Sequence, residues 1–124
     1  MPDESACFDK HVRLLKPDEY SRVFKNPIRS SDRLFIILAV KNENSHARLG
    51  LAISKKNTKR AVDRNMIKRL VRESFRLSLK KLPFIDIVVM AKPVTKSANN
   101  QQIFQSLQQH WSRLSKQCAK SSSD

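Results

Sequence analysis

The sequence predicts an α+β protein: a two-layer α/β sandwich with one mixed four-stranded sheet and three helices, in the order α-β-β-β-α-β-α. Three observations carry this. Residues 34–40 and 84–91 are apolar runs of strand length, and residues 48–54 alternate apolar with small or polar residues. A long amphipathic stretch separates the third strand from the last. A second helical period closes the chain, where Ile103, Phe104, Leu107, Trp111 and Leu114 mark one apolar face.

The first helix covers residues 17–25, PDEYSRVFK. Pro17 suits position N1, where its missing N–H costs nothing, and Asp18 and Glu19 suit the positive end of the helix dipole. Pro27 stops it, and Ile28–Ser31 form a short edge strand. Residues 34–40 and 48–54 read as a hairpin joined by the polar segment KNENSHA. Asn57 or Thr58 supplies the N-cap of the next helix. The LPF bend around Pro83 ends that helix. Residues 84–91 are apolar on both faces, as a central strand would be. The last helix covers about 98–117. Residues 1–10 and 118–124 are expected to be disordered tails on a single domain spanning 1–124.

Residues 55–81 hold eleven Lys or Arg against Asp63 and Glu73. On a wheel of about 100° per residue, Lys68, Arg72, Asn65, Arg76 and Arg69 fall within an arc of roughly 100°. Leu70, Ser74, Ile67, Ser78, Val71 and Phe75 occupy much of the opposite side. Such a helix has one face for a core and one for a polyanion. Solvated faces usually mix signs, whereas Arg64, Lys68, Arg72 and Arg76 repel at i,i+4 spacing. A net charge of +14 in 124 residues points the same way, to nucleic acid. Asn65 could bond sugar, base, phosphate or a neighbouring loop.

Other chemistry finds little support. Gly50 is the only glycine, so neither a phosphate-cradling loop nor a nucleophile elbow can be built. His11, His46 and His110 are isolated and read as surface residues. Asp86 reads as an edge or strand-end acid, with a general base as the alternative. Cys7 and Cys118 read as free thiols in a reducing cytosol. The N-terminus lacks the apolar core of a secretory signal, and no apolar run is long enough to span a bilayer. Tyr20 and Phe24, at i and i+4, point the same way. They read either as the core side of an amphipathic helix or as a platform for unstacked bases. Trp111 reads as core.

The run RLGLAISKKNTKRAVDRNMIKRLVRESFR, residues 48–76, resembles the protein subunit of bacterial ribonuclease P. Its signature is a strand, then KK-x₇-RNxxKRxxRE-x-F. LLKPDEYSRVFK upstream and DIVVMAKP downstream extend the similarity over roughly residues 13–115. The resemblance implies a left-handed β-α-β crossover around the basic helix. It implies an accessory subunit of a cytoplasmic ribonucleoprotein endoribonuclease that removes the 5′ leader from precursor tRNA. The partners would be a catalytic RNA, with its own magnesium ions, and precursor tRNA; no membrane, protein partner or protein-bound metal is implied. The family's basic motif falls on Arg64, Asn65, Lys68 and Arg69, with Lys55, Lys56, Lys59, Arg60, Arg72 and Arg76 extending the RNA-binding set. Its leader cleft falls on Tyr20 and Phe24, with Phe35 or Leu38 from the sheet. Met66 stands where the family has a further basic residue, and Leu38 is aliphatic where some members have a ring.

Two rival readings remain. One is a structural RNA-binder of ribosomal-protein type, which composition cannot separate from the first. The other is a membrane-surface basic helix, disfavoured because the apolar face is needed for a core.

Overall fold

A computed structural model describes residues 13, 14, 16–42, 47–82 and 84–122, with the side chains of residues 96 and 118–122 left undescribed. The expectations for the 1–10 tail, Cys7, His11, His46, Pro83 and the Cys118 thiol fall outside these. The elements are α1 (Pro17–Lys25), β1 (Ile28–Ser31), β2 (Phe35–Lys41), β3 (Arg48–Leu51), α2 (Ala61–Ser78), β4 (Ile85–Ala91) and α3 (Asn100–Ser122). Short 3₁₀ turns follow α2 and β4.

Local chemistry explains the boundaries. Pro17 opens α1, and Glu19 Oε1 accepts the backbone N–H of Lys16 at 3.0 Å. α2 is preceded by Arg60, with no side-chain cap. Asn57 and Thr58 therefore do not cap it. Asn57 reaches instead to the Ala91 carbonyl at 3.2 Å, tying the loop to the end of β4. At α3, Asn99 and Gln102 exchange side-chain and backbone bonds at 2.8 and 3.0 Å. α3 runs to Ser122, past the expected end near residue 117.

The sheet order is β1-β2-β4-β3, with β1 on one edge as expected. β2 runs antiparallel to both β1 and β4, and β3 runs parallel to β4. The expected β2–β3 hairpin does not form, because β4 lies between them. Six residues separate β2 from β3, more than a tight hairpin uses. Extended, they reach about 20 Å, ample to step over a strand about 10 Å across two sheet spacings. β4 takes the middle because its residues are apolar toward both faces. β3, α2 and β4 thus make a β-α-β unit between adjacent parallel strands.

α2 and α3 cover one face. Phe35, Ile37, Ala39, Ile85, Ile87 and Val89 meet Ile67, Val71, Phe75, Leu107, Trp111 and Leu114 there. The opposite face carries α1, whose Val23 packs with Leu14, Leu38 and Val88. Residues 13–14 run beside β3, where Leu14 donates its N–H to the Leu49 carbonyl at 2.9 Å.

Candidate nucleic-acid interface

α2 divides its faces largely as the wheel requires. Ile67, Leu70, Val71, Ser74 and Phe75 are buried. Phe75 meets Trp111 edge-on at 5.9 Å, and the Trp111 indole donates to Ser74 Oγ at 2.8 Å. That bond satisfies the one polar side chain on the buried face. Asn65, Arg69 and Arg72 are exposed, and Lys68 is half-buried. Among the described residues no acid pairs with Lys68, Arg69 or Arg72. Lys55, Lys56, Lys59 and Arg60 are exposed in the segment leading into α2 and prolong the cationic surface. Met66, at the rim of the arc, is 52% exposed.

Two members of the set are already occupied. Arg64 donates to the carbonyls of Thr58 and Lys59 at 3.0 and 2.8 Å, holding the loop against the helix start. Arg76 is paired with Glu73 one turn earlier. The wheel itself carried the signal for Arg64, which stands about 200° from Val62, among the apolar positions.

α1 supplies the aromatic part. Val23 is its buried residue, Tyr20 is half-buried, and Phe24 is 46% exposed. Neither ring is a fully buried core residue. Beside Tyr20 opens a cleft of about 210 Å³ lined by Arg13, Leu14, Tyr20, Leu49, Leu51, Lys68 and Arg72. The aromatic ring of α1 and the middle of the cationic arc of α2 therefore share one cleft at the β3 edge. Gly50 lies under the Tyr20 ring.

The sheet's contribution differs from expectation. Phe35 is fully buried on the α2–α3 side and cannot reach the cleft. Successive strand residues point to opposite faces, so Phe35 and Leu38 could never share one. Leu38 lies under α1, with half-buried Ile36 and Val40 on the same face.

α1 is held over the sheet by ions that the sequence reading missed. Asp86, read as an edge or strand-end acid, is the second residue of inner strand β4 and fully buried toward α1. Its Oδ1 accepts from Arg48 Nε at 2.8 Å and Asn42 Nδ2 at 2.7 Å. Its Oδ2 accepts from Arg48 Nη2 at 2.7 Å and from Arg22 of α1. Arg48 also donates to Glu19 of α1 at 2.8 Å. Burial alone would raise the Asp86 pKa, but the hydrogen bonds and charge of Arg48, with Asn42 and Arg22, outweigh it and hold the group below its ordinary value. A lone acid in an apolar strand was the available signal.

His110, expected on the surface, is fully buried on α3. The α3 period places it beside Leu107, Trp111 and Leu114, which the isolated-histidine argument overlooked. Its Nδ1 lies 2.6 Å from Ser30 Oγ, and Nε2 lies 3.2 Å from Asp32 Oδ1 but outside hydrogen-bond geometry. Arg113 donates to the same Ser30 oxygen at 2.8 Å. Burial pushes the His110 pKa down despite Asp32. Asp32 is lowered to about 2: burial opposes this, and bonds from the Ser106 hydroxyl and the Phe35 and Leu34 amides prevail. The cluster pins α3 to β1 and the β1–β2 turn; with Ser30 and His110 buried, it offers no substrate access.

A ribonuclease P family model matches residues 8–115 of this chain. The ribonuclease P protein component of Methylococcus capsulatus is 46% identical over 123 residues, 99% of this chain and 96% of that protein. The chain belongs to the ribonuclease P protein family. The component from Thioalkalivibrio sulfidiphilus is 47% identical over 90% of this chain and 93% of its own length. Among solved structures, a Staphylococcus aureus RNase P protein mutant with defective mRNA degradation activity superposes with a TM-score of 0.81. It is 32% identical and covers 90% of this chain and 94% of its own. The RNase P protein of Thermotoga maritima superposes at 0.73, 27% identical, covering 82% and 96%.

As a ribonuclease P protein component, the chain is the RNA-binding accessory subunit of a ribonucleoprotein endoribonuclease and partners its RNA subunit. Nothing favours the ribosomal-type alternative. No described helix is long and apolar enough to cross a membrane.

Proposed function

We propose that the cationic side of α2 and the 55–60 segment grips the catalytic RNA, while the cleft beside α1 takes the single-stranded 5′ leader of precursor tRNA. The observation that carries this reading is the shared cleft of Tyr20, Lys68 and Arg72. Unstacked leader bases find the Tyr20 ring in the cleft and the exposed Phe24 ring one turn further along α1, outside the cleft lining, and the phosphates between them find the cations. Leu14, Leu49 and Leu51 supply the apolar part of the cleft lining, whereas Leu38 is buried beneath α1 and does not line it. Asn65, Arg69, Lys55, Lys56, Lys59 and Arg60 face outward for the larger RNA. Cleavage chemistry belongs to that RNA and its magnesium ions, in the cytoplasm. No group of three or more potential ligands stands ready for a metal among the described residues.

The test is Phe24→Ala, with affinity measured for leader-bearing precursor and for mature tRNA. Phe24 is 46% exposed, so its loss should leave the fold intact. Stacking is worth about 1 to 3 kcal/mol per base, so precursor affinity should fall roughly fivefold to 150-fold. Mature tRNA affinity should hold, and the loss should vary little with salt. Equal losses for both RNAs in a stably folded variant would count against the cleft.

A further inference from the structure

We infer that Gly50 is a positioning residue for leader recognition. Its missing Cβ sets how deep the Tyr20 ring sits, and so how much of the cleft stays open to an RNA base. This rests on the leader-binding reading above.

Gly50 is the only glycine in the chain, and it sits inside strand β3. Glycine there forfeits side-chain packing and costs backbone entropy on folding. The usual reason for glycine does not apply, because its φ is not positive. The reason is space. A Cβ built on Gly50 would stand 2.7 Å from Tyr20 Cε1 and 2.9 Å from both Cζ and Oη. Real Cβ contacts are essentially never that short, so a side chain at position 50 forces something to move.

The surroundings decide what moves. β3 cannot recede: it is bonded to β4, with Gly50 opposite Val88, while Leu14 bonds Leu49 on its other edge. Its Leu49 is buried in the core beneath the sheet. α1 cannot lift freely either. Arg48 holds Glu19 at 2.8 Å, and Arg22 binds both Asp86 and the Lys41 carbonyl. These contacts bracket Tyr20 on the same helix. The open direction is the cleft itself, toward Leu14, Lys68 and Arg72. A displaced ring would occupy the volume in which a base stacks and would crowd the two cations that meet its phosphate. Because the colliding atoms are the far end of one side chain bordering open space, the fold should tolerate the shift.

The experiment uses full-length chain reconstituted with the catalytic RNA, in Gly50→Ala, Tyr20→Ala and the double variant. Affinity is measured for a precursor with an unpaired leader and for the same tRNA without one, beside thermal melting of each protein. Gly50→Ala should lower precursor affinity about fivefold or more, the equivalent of one impaired stacking contact, and leave mature tRNA unchanged. In the Tyr20→Ala background the same substitution should add no further loss, because the ring it collides with is gone. If Gly50→Ala proves unfolded, Tyr20→Ala should restore its folding, and failure to do so overturns the inference. It is also overturned if Tyr20→Ala weakens precursor binding while Gly50→Ala does not, or if the Gly50→Ala loss persists undiminished without the ring. If Tyr20→Ala itself leaves precursor affinity unchanged, the leader-cleft reading fails first.

Discussion

Replacing Asp86 with Asn tests whether the ion cluster holds α1 over the sheet. The substitution keeps the shape and removes the charge. The buried carboxylate accepts from Arg48 twice, at 2.8 and 2.7 Å, from Asn42 at 2.7 Å and from Arg22. Breaking a buried ion pair by removing one partner costs about 3 to 5 kcal/mol. The lower end applies here, because the orphaned cations have other recourse. Arg48 keeps Glu19 at 2.8 Å, and the Arg22 side chain is 46% exposed and can rehydrate. A loss of about 3 kcal/mol leaves a domain of this length folded, and corresponds to a melting temperature lower by roughly 10 °C. The pH dependence supplies the sign. The Asp86 pKa is lowered in the folded state from 3.8, so its charge contributes stability above that value and loses it as pH falls through the folded pKa. The gap between wild type and Asp86→Asn, followed by circular dichroism melts, should be full near neutrality and close below about pH 4. Asp32 titrates in both proteins and cancels. A drop under about 2 °C near neutrality, or a gap that persists in strong acid, would refute the anchoring role.

Three further outcomes are expected. If about six to eight phosphates are neutralised, log K for the catalytic RNA should fall against log salt with a slope of about −4 to −7, and a flat dependence would remove the electrostatic account. Lys55→Ala and Arg69→Ala should weaken assembly with that RNA yet change stability by no more than about 0.5 kcal/mol, whereas Arg64→Ala should also lower stability by about 1 kcal/mol, since two carbonyls lose their donor; melting curves alongside binding at two salt concentrations separate the cases. Protein freed of RNA should not cleave precursor tRNA, and cleavage abolished by changing Asp86 or His110 would reveal an active site where the structure shows packing.

What could be read from the chain was set by periodicity and local stereochemistry. α1 begins at Pro17 and ends before Pro27 as read, because proline acts on its own neighbourhood. The two faces of α2 followed from residue spacing, since a helix fixes side-chain direction about its own axis. The family signature likewise lies in one continuous run. Tertiary structure decided what depends on distant partners. β2 and β3 looked like a hairpin because they are neighbours in sequence, yet β4 separates them: burial on both faces outweighs proximity along the chain. The burial of Asp86 and the place of His110 were missed because a polar side chain can be buried only where others meet it. Those others, Arg22, Arg48 and Asn42 for one and Ser30, Asp32 and Arg113 for the other, come from elements far apart in sequence. Phe35 turned inward for a reason legible in the strand's two-residue period. The place of Gly50 beneath Tyr20 was not legible, since only the docking of α1 across β3 brings the two together.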